Sequence, residues 1–175
     1  MKIRNFCFGL RNKQINYYLT KLPEIYRTCD IPILFINRNI VGYIIFRYYA
    51  WFYNLGERTY KEFKKIGGTS YYVLSTHEPT FIYYAKGNSK VSKDFLVFTL
   101  FHELRHWYQQ KYLTNFHKKH SLTYNNDVTV DNYDKQTLEV DANNFARKYC
   151  LGIGIKFLKV KGVDFISAKR SKLKI

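Results

Sequence analysis

His102, Glu103 and His106 are the residues in this chain best placed by type and spacing to do chemistry. They belong to the pentapeptide His102-Glu103-Leu104-Arg105-His106, an H-E-x-x-H pattern inside an apolar run free of Gly and Pro. Residues four apart share a helix face, so both imidazoles can reach one metal ion. Glu103 projects about 100° round the axis from His102, beside such an ion rather than onto it. The pattern therefore offers two zinc ligands and a base for the water that the metal activates. With so few His and Glu in the chain, an accidental match has odds of about one in two hundred. That outweighs the plainer reading, a buried helix whose two histidines bond only to backbone groups.

The helix that must carry these residues is legible around them. Val91-Ser92-Lys93-Asp94 offers a start with Ser92 as cap. Phe95, Leu96, Phe98, Thr99, Phe101, Leu104 and Trp107 supply an apolar body, and the helix is expected to run to about Tyr112. Two histidines leave a catalytic zinc one protein ligand short. A second helix is predicted over residues 134–149, with Asp134 capping its start and Gly152 ending it. Glu139, Ala142, Asn143 and Ala146 share one of its faces, small except for Glu139. Small residues permit close approach of the two helices, which makes Glu139 the expected third ligand. Asp141 points about 160° away round the helix and is the weaker candidate. Asn143 or Asp141 can also orient the histidines from outside the metal shell.

Together these residues resemble the zincin metallopeptidases, and most of all the gluzincin-like ImmA/IrrE-type family. The likeness lies in two stretches. One is Phe98-Thr99-Leu100-Phe101-His102-Glu103-Leu104-Arg105-His106, and the other is Glu139-Val140-Asp141-Ala142-Asn143-Asn144-Phe145-Ala146. Thr80-Phe81-Ile82-Tyr83-Tyr84 is similar to the strand that precedes the motif helix, so the likeness spans roughly residues 70–152. It implies an α+β zincin-like fold, with a small twisted sheet packed on the active-site helix and a second helix bearing the third ligand. It also implies a zinc peptidase with Zn²⁺ on His102, His106 and Glu139, and Glu103 as catalytic residue. Arg105 departs from the family, which often has Gly before the second His. SprT-type peptidases also carry H-E-x-x-H but with a third His, so His117 and His120 stay as secondary ligand candidates.

Composition bounds the rest. A chain of 175 residues that is 46% hydrophobic has enough apolar material for one domain with a proper core, expected over 1–175. Within it, 1–68 reads as mainly helical, 69–152 as the metallopeptidase core and 153–175 as a basic segment. Cys7, Cys29 and Cys150 are scattered and odd in number, which fits buried thiols in a reducing cytoplasm rather than a disulfide framework. Phe6 to Leu10 is too short for the apolar core of a signal peptide. The run from Ile40 to Tyr53 contains Arg47 and falls short of the ~20 residues a spanning helix needs, so a buried helix is expected rather than a membrane segment, with Trp51 and the tyrosines also suited to an interfacial contact. The net charge of +16 exceeds what solubility requires and favours polyanions. No sequence-reading nucleic-acid motif accompanies it, so any such contact would be non-specific.

Along the chain, residues 14–22 space apolar groups at helical intervals up to Pro23. Ile33 to Ile36 reads either as a short strand or as part of the apolar run that follows. Glu57 to Ile66 reads as an amphipathic helix stopped by Gly67-Gly68, and 70–75 with 80–85 as two strands. Phe81 to Tyr84 is the candidate edge for pairing with a peptide. Residues 113–134 read as a long polar connection, and 153–175 as one strand and a frayed tail. The function expected from all this is a zinc metallopeptidase acting on a specific intracellular protein substrate, in keeping with a DNA-bound or regulatory target. The alternative is a basic nucleic-acid-binding protein with a structural or vestigial zinc site.

Overall fold

The computed structural model describes residues 2–6, 10–54, 70–71, 80–84, 93–121, 136–155, 157–160 and 163–166. At a coarse level it is a mixed helix-and-sheet, α+β arrangement. The main sheet contains β1 (Lys2–Phe6), β2 (Pro32–Asn37), β3 (Ser70–Tyr71) and β4 (Thr80–Tyr84), in the order β1-β2-β4-β3. The strands β1, β2 and β4 run parallel, and β3 pairs antiparallel with β4. A second, two-stranded antiparallel sheet joins β5 (Phe157–Val160) to β6 (Val163–Ile166). The helices are α1 (Asn12–Leu19), α2 (Glu24–Arg27), α3 (Ile40–Phe52), α4 (Lys93–Tyr112), α5 (Thr114–Ser121) and α6 (Thr137–Gly152).

Strand β2 shows why periodicity left Ile33–Ile36 ambiguous. A parallel strand covered on both faces is a continuous apolar run without alternation. Ile33 and Phe35 join Ile82 in one core cluster with the helical residues Leu96, Leu100 and Trp107. Leu34 and Ile36 join Phe81 in a second cluster with Phe46 and Ala50 of α3. The sheet thus separates α3 from the helices that carry the candidate ligands. Each large side chain so buried is worth about 1.5–3 kcal/mol.

The turn from β2 into α3 is tight. Asn39 caps α3, its Oδ1 accepting from the Gly42 backbone N–H at 2.8 Å. A Cβ on Gly42 would overlap the carbonyl of Asn37, so only glycine lets the helix start this close to the strand. The expected buried helix is present, but only one face is covered. Gly42, Phe46 and Ala50 are buried, whereas Ile44, Tyr48, Trp51 and Phe52 are exposed. Among the described residues no helix is long and apolar enough to cross a membrane.

Helices α4 and α6 pack along each other. Their contact runs through fully buried Ala142 and Ala146 on α6, where small side chains let the backbones approach. The first helix ends at Tyr112 as the pattern predicts, while its proposed cap Ser92 lies outside the described residues. Asp134 is also outside them, and α6 starts after Gln136 instead. Its end is set by Gly154, not Gly152. Gly154 has φ 83, the Gly154 N–H reaches the Leu151 carbonyl at 3.0 Å, and the Ile155 N–H reaches the Cys150 carbonyl at 2.9 Å. That is a Schellman motif, and buried Ile155 seals it.

Other expectations are corrected. β1 forms where no strand was read, because its pairing partner, β2, is remote in sequence. β4 is not an edge: β2 pairs it from Thr80 to Tyr84 and β3 covers Phe81 and Ile82, which leaves β3 at the margin. The connection after residue 113 begins with helix α5 rather than loop. The C-terminal segment holds two strands rather than one. The helix read at Glu57–Ile66, the thiol of Cys7 and the tail from Ser167 lie outside the described residues. Cys29 and Cys150 are buried free thiols as expected, and burial pushes Cys29 up to about 12.

Candidate metal centre

Helix α4 supplies His102 and His106 from one face, and α6 brings Glu139 against them. One donor atom from each residue can be chosen so that all lie within 4.8 Å of one another. The two Nε2 atoms are 3.0 Å apart. Glu139 bridges them, Oε2 at 3.2 Å from His102 Nε2 and Oε1 at 3.3 Å from His106 Nε2. This is the group of three read from the sequence. His117 and His120 do not join it. They lie on α5, where His120 faces the Phe116 ring at 4.7 Å.

The tautomers follow from buried amides. Gln109, wholly buried, donates from Nε2 to the Leu138 carbonyl at 3.0 Å and to Asp141 Oδ2 at 2.7 Å. With both hydrogens taken by acceptors, its Oε1 must face His106 Nδ1, 2.9 Å away. His106 Nδ1 therefore carries a hydrogen, which frees Nε2 as a donor toward the cluster. Asn143 Oδ1 accepts from His102 Nδ1 at 2.9 Å and does the same for that ring. Two ring lone pairs and a carboxylate at these spacings repel one another unless a proton or a metal cation sits among them.

The electrostatics agree. Burial alone would lower His106 and raise Glu139. With no cation present a proton takes its place on the imidazoles: hydrogen bonds from His102 and His106 and their opposite charge outweigh burial, so Glu139 is held well below the usual carboxylate range and His106 is raised. A tetrahedral shell with bonds of 2.0–2.1 Å has donor–donor edges of about 3.3 Å, close to the spacings here. The residues present thus fit a small cation, and the three can hold a metal ion.

Glu103 is buried, at 2% exposure, and its Oε2 has no hydrogen-bond partner among the described residues. It is near enough to His106 to add to the field that raises it. His102 is the most open of the three candidate ligands, at 15%, against 8% for His106 and 3% for Glu139. Access to the centre therefore comes from the His102 side.

Asp141 is not a ligand. It takes Arg105 side-on, Nε to Oδ2 at 2.7 Å and Nη2 to Oδ1 at 3.1 Å. Burial would raise Asp141, but these bonds and the one from Gln109 hold it below its ordinary value. A cavity of about 470 Å³ opens beside this pair, lined by Tyr26, Tyr108, Phe145 and Lys148 among others. None of the three candidate ligands lines it. Gln109 was missed in the sequence, although a polar residue three positions after a ligand histidine, on the same face, was a readable signal. Comparison of the chain with models of known families, with curated proteins and with solved structures found no match.

Proposed function

We propose that this chain is a zinc-dependent metallopeptidase of zincin, gluzincin-like type that hydrolyses a peptide bond in a protein substrate. The observation that carries the reading is the triangle of His102, His106 and Glu139 donors, edged at 3.0–3.3 Å, beside a buried carboxylate with one oxygen unpartnered among the described residues. Nitrogen and carboxylate donors at this spacing suit zinc, and three protein ligands are the number found in catalytic rather than closed structural sites. Zinc so held supplies a Lewis acid for a carbonyl oxygen and acidifies water at its remaining position.

The chain's own residues do the remainder. Asn143 and Gln109 orient the two imidazoles, and Glu139 neutralises part of the cation's charge. Glu103 Oε2 is the atom that moves the proton, taking it from the attacking water and passing it to the departing amine nitrogen. Its burial keeps bulk water from competing for that proton. Partly exposed His102 leaves the substrate an approach to the centre.

The test is Glu103→Gln. The variant should bind zinc as wild type does and lose hydrolysis of the cognate protein by at least about 10²-fold, the scale of general acid–base catalysis. Retained turnover would remove Glu103 from this role. The nucleic-acid-binding reading makes the opposite forecast: salt-sensitive DNA binding that Glu103→Gln leaves untouched.

A further inference from the structure

We propose that Arg105 is the positioning residue of this centre, acting on His106 through Asp141 and Gln109. The inference rests on the metal reading above for its purpose, but its geometry stands apart from it. Arg105 lies between the two histidines in sequence and presents its guanidinium to α6 rather than to the metal face. Its fork grips Asp141 at 2.7 and 3.1 Å, and its remaining Nη1 donates to Tyr26 Oη at 2.9 Å. The rings of Tyr108 and Phe145 lie 5.0 and 5.3 Å from the guanidinium carbon and fix its plane. Burial pushes Tyr26 up to about 12, so its hydroxyl stays neutral and accepts.

The consequence falls on Gln109. Asp141 Oδ2, the oxygen held by Arg105 Nε, also accepts from Gln109 Nε2 at 2.7 Å. The other Gln109 hydrogen goes to the carbonyl of Leu138, the residue before ligand Glu139. Gln109 therefore ties His106 on α4 to the backbone beside Glu139 on α6, and Arg105 sets the carboxylate that orients it. Were Asp141 free to turn, the Gln109 amide could invert and present hydrogens to His106 Nδ1. The ring would then lose the acceptor that keeps Nε2 aimed at the cluster. Lysine cannot substitute, because an ammonium has no fork to hold both carboxylate oxygens in one plane.

The experiment compares wild type with Arg105→Lys, Asp141→Asn and Gln109→Met, each first checked for folding by its melting transition. Two readouts are taken. The first is zinc affinity by competition with a chelator. The second is the His106 Nδ1–H resonance in metal-free protein, by proton–nitrogen NMR. Arg105→Lys and Asp141→Asn should each weaken zinc binding about 10- to 100-fold. Their double variant should be no worse than the weaker single one, since both cut the same chain. The ring N–H signal should exchange faster in both and vanish in Gln109→Met, which keeps volume but removes the acceptor. Variants that melt earlier yet keep wild-type zinc affinity and an unchanged ring signal would show a merely structural ion pair and overturn the proposal. A wild-type protein that takes up no zinc would sink the metal reading instead, while the ring signal would still decide whether Arg105 braces His106.

Discussion

Replacing Glu139 by Gln is the most direct challenge to the metal centre. The two side chains have nearly the same volume, so the packing around this buried position is preserved. One carboxylate oxygen becomes an NH₂ group at about 3.2–3.3 Å from a histidine Nε2, where it donates into the lone pair the metal needs. Loss of an outer hydrogen-bond partner of a ligand costs about 10- to 100-fold in metal affinity. Loss of the anionic ligand itself should exceed that range, which is more than about 2.7 kcal/mol. The assay is thermal unfolding with and without zinc. At zinc about 100-fold above Kd, binding to the native state adds about 2.7 kcal/mol. For a chain of this size that raises Tm by about 5–11 °C. Wild type should show this rise. Glu139→Gln should show about 1 °C or less at the same zinc concentration, measured against its own metal-free Tm. A variant that still gains the wild-type increment would refute the assignment of Glu139 as ligand and the geometric argument built on it.

Other outcomes follow from the same structure. Gly42→Ala forces a methyl group into the Asn37 carbonyl and should cost about 3 kcal/mol, read as a lower denaturant midpoint at unchanged slope. Asp30 accepts from Lys111 Nζ at 2.7 Å and Trp107 Nε1 at 2.9 Å, and the Lys111 bond first, then Trp107, holds its carboxyl below the ordinary value. A carboxylate with a depressed folded pKa stabilises the fold above about pH 4, and that contribution is lost as pH falls through the folded value. Asp30→Asn should therefore flatten the acid limb of stability against pH and leave its shape above pH ~5 unchanged. An acid limb identical to wild type would contradict this.

The candidate site was legible in sequence to the extent that it is local. His102, Glu103 and His106 share one turn and the next, so helix periodicity alone put both imidazoles together. The reading of Glu139 drew on the small face made by Ala142 and Ala146, again a periodic signal within one helix. Asn143 was legible as an orienting group because it lies one turn beyond Glu139. What the sequence did not disclose is carried by contacts between remote segments. β1 forms only because β2, about thirty residues on, offers its edge in parallel register. β2 itself is ambiguous as a pattern because both its faces are covered, one by α3 and one by the helices that carry the candidate ligands. The expected burial of α3 holds for one face only: apolar content suggests burial, but tertiary packing decides which face is covered. The chain from Tyr26 through Arg105, Asp141 and Gln109 to His106 spans much of the sequence and joins α2, α4 and α6. Hydrogen bonds of that kind depend on side-chain positions to within a few tenths of an ångström. Periodicity along a single helix specifies a direction round its axis, and only the packing of one helix on another supplies the distance.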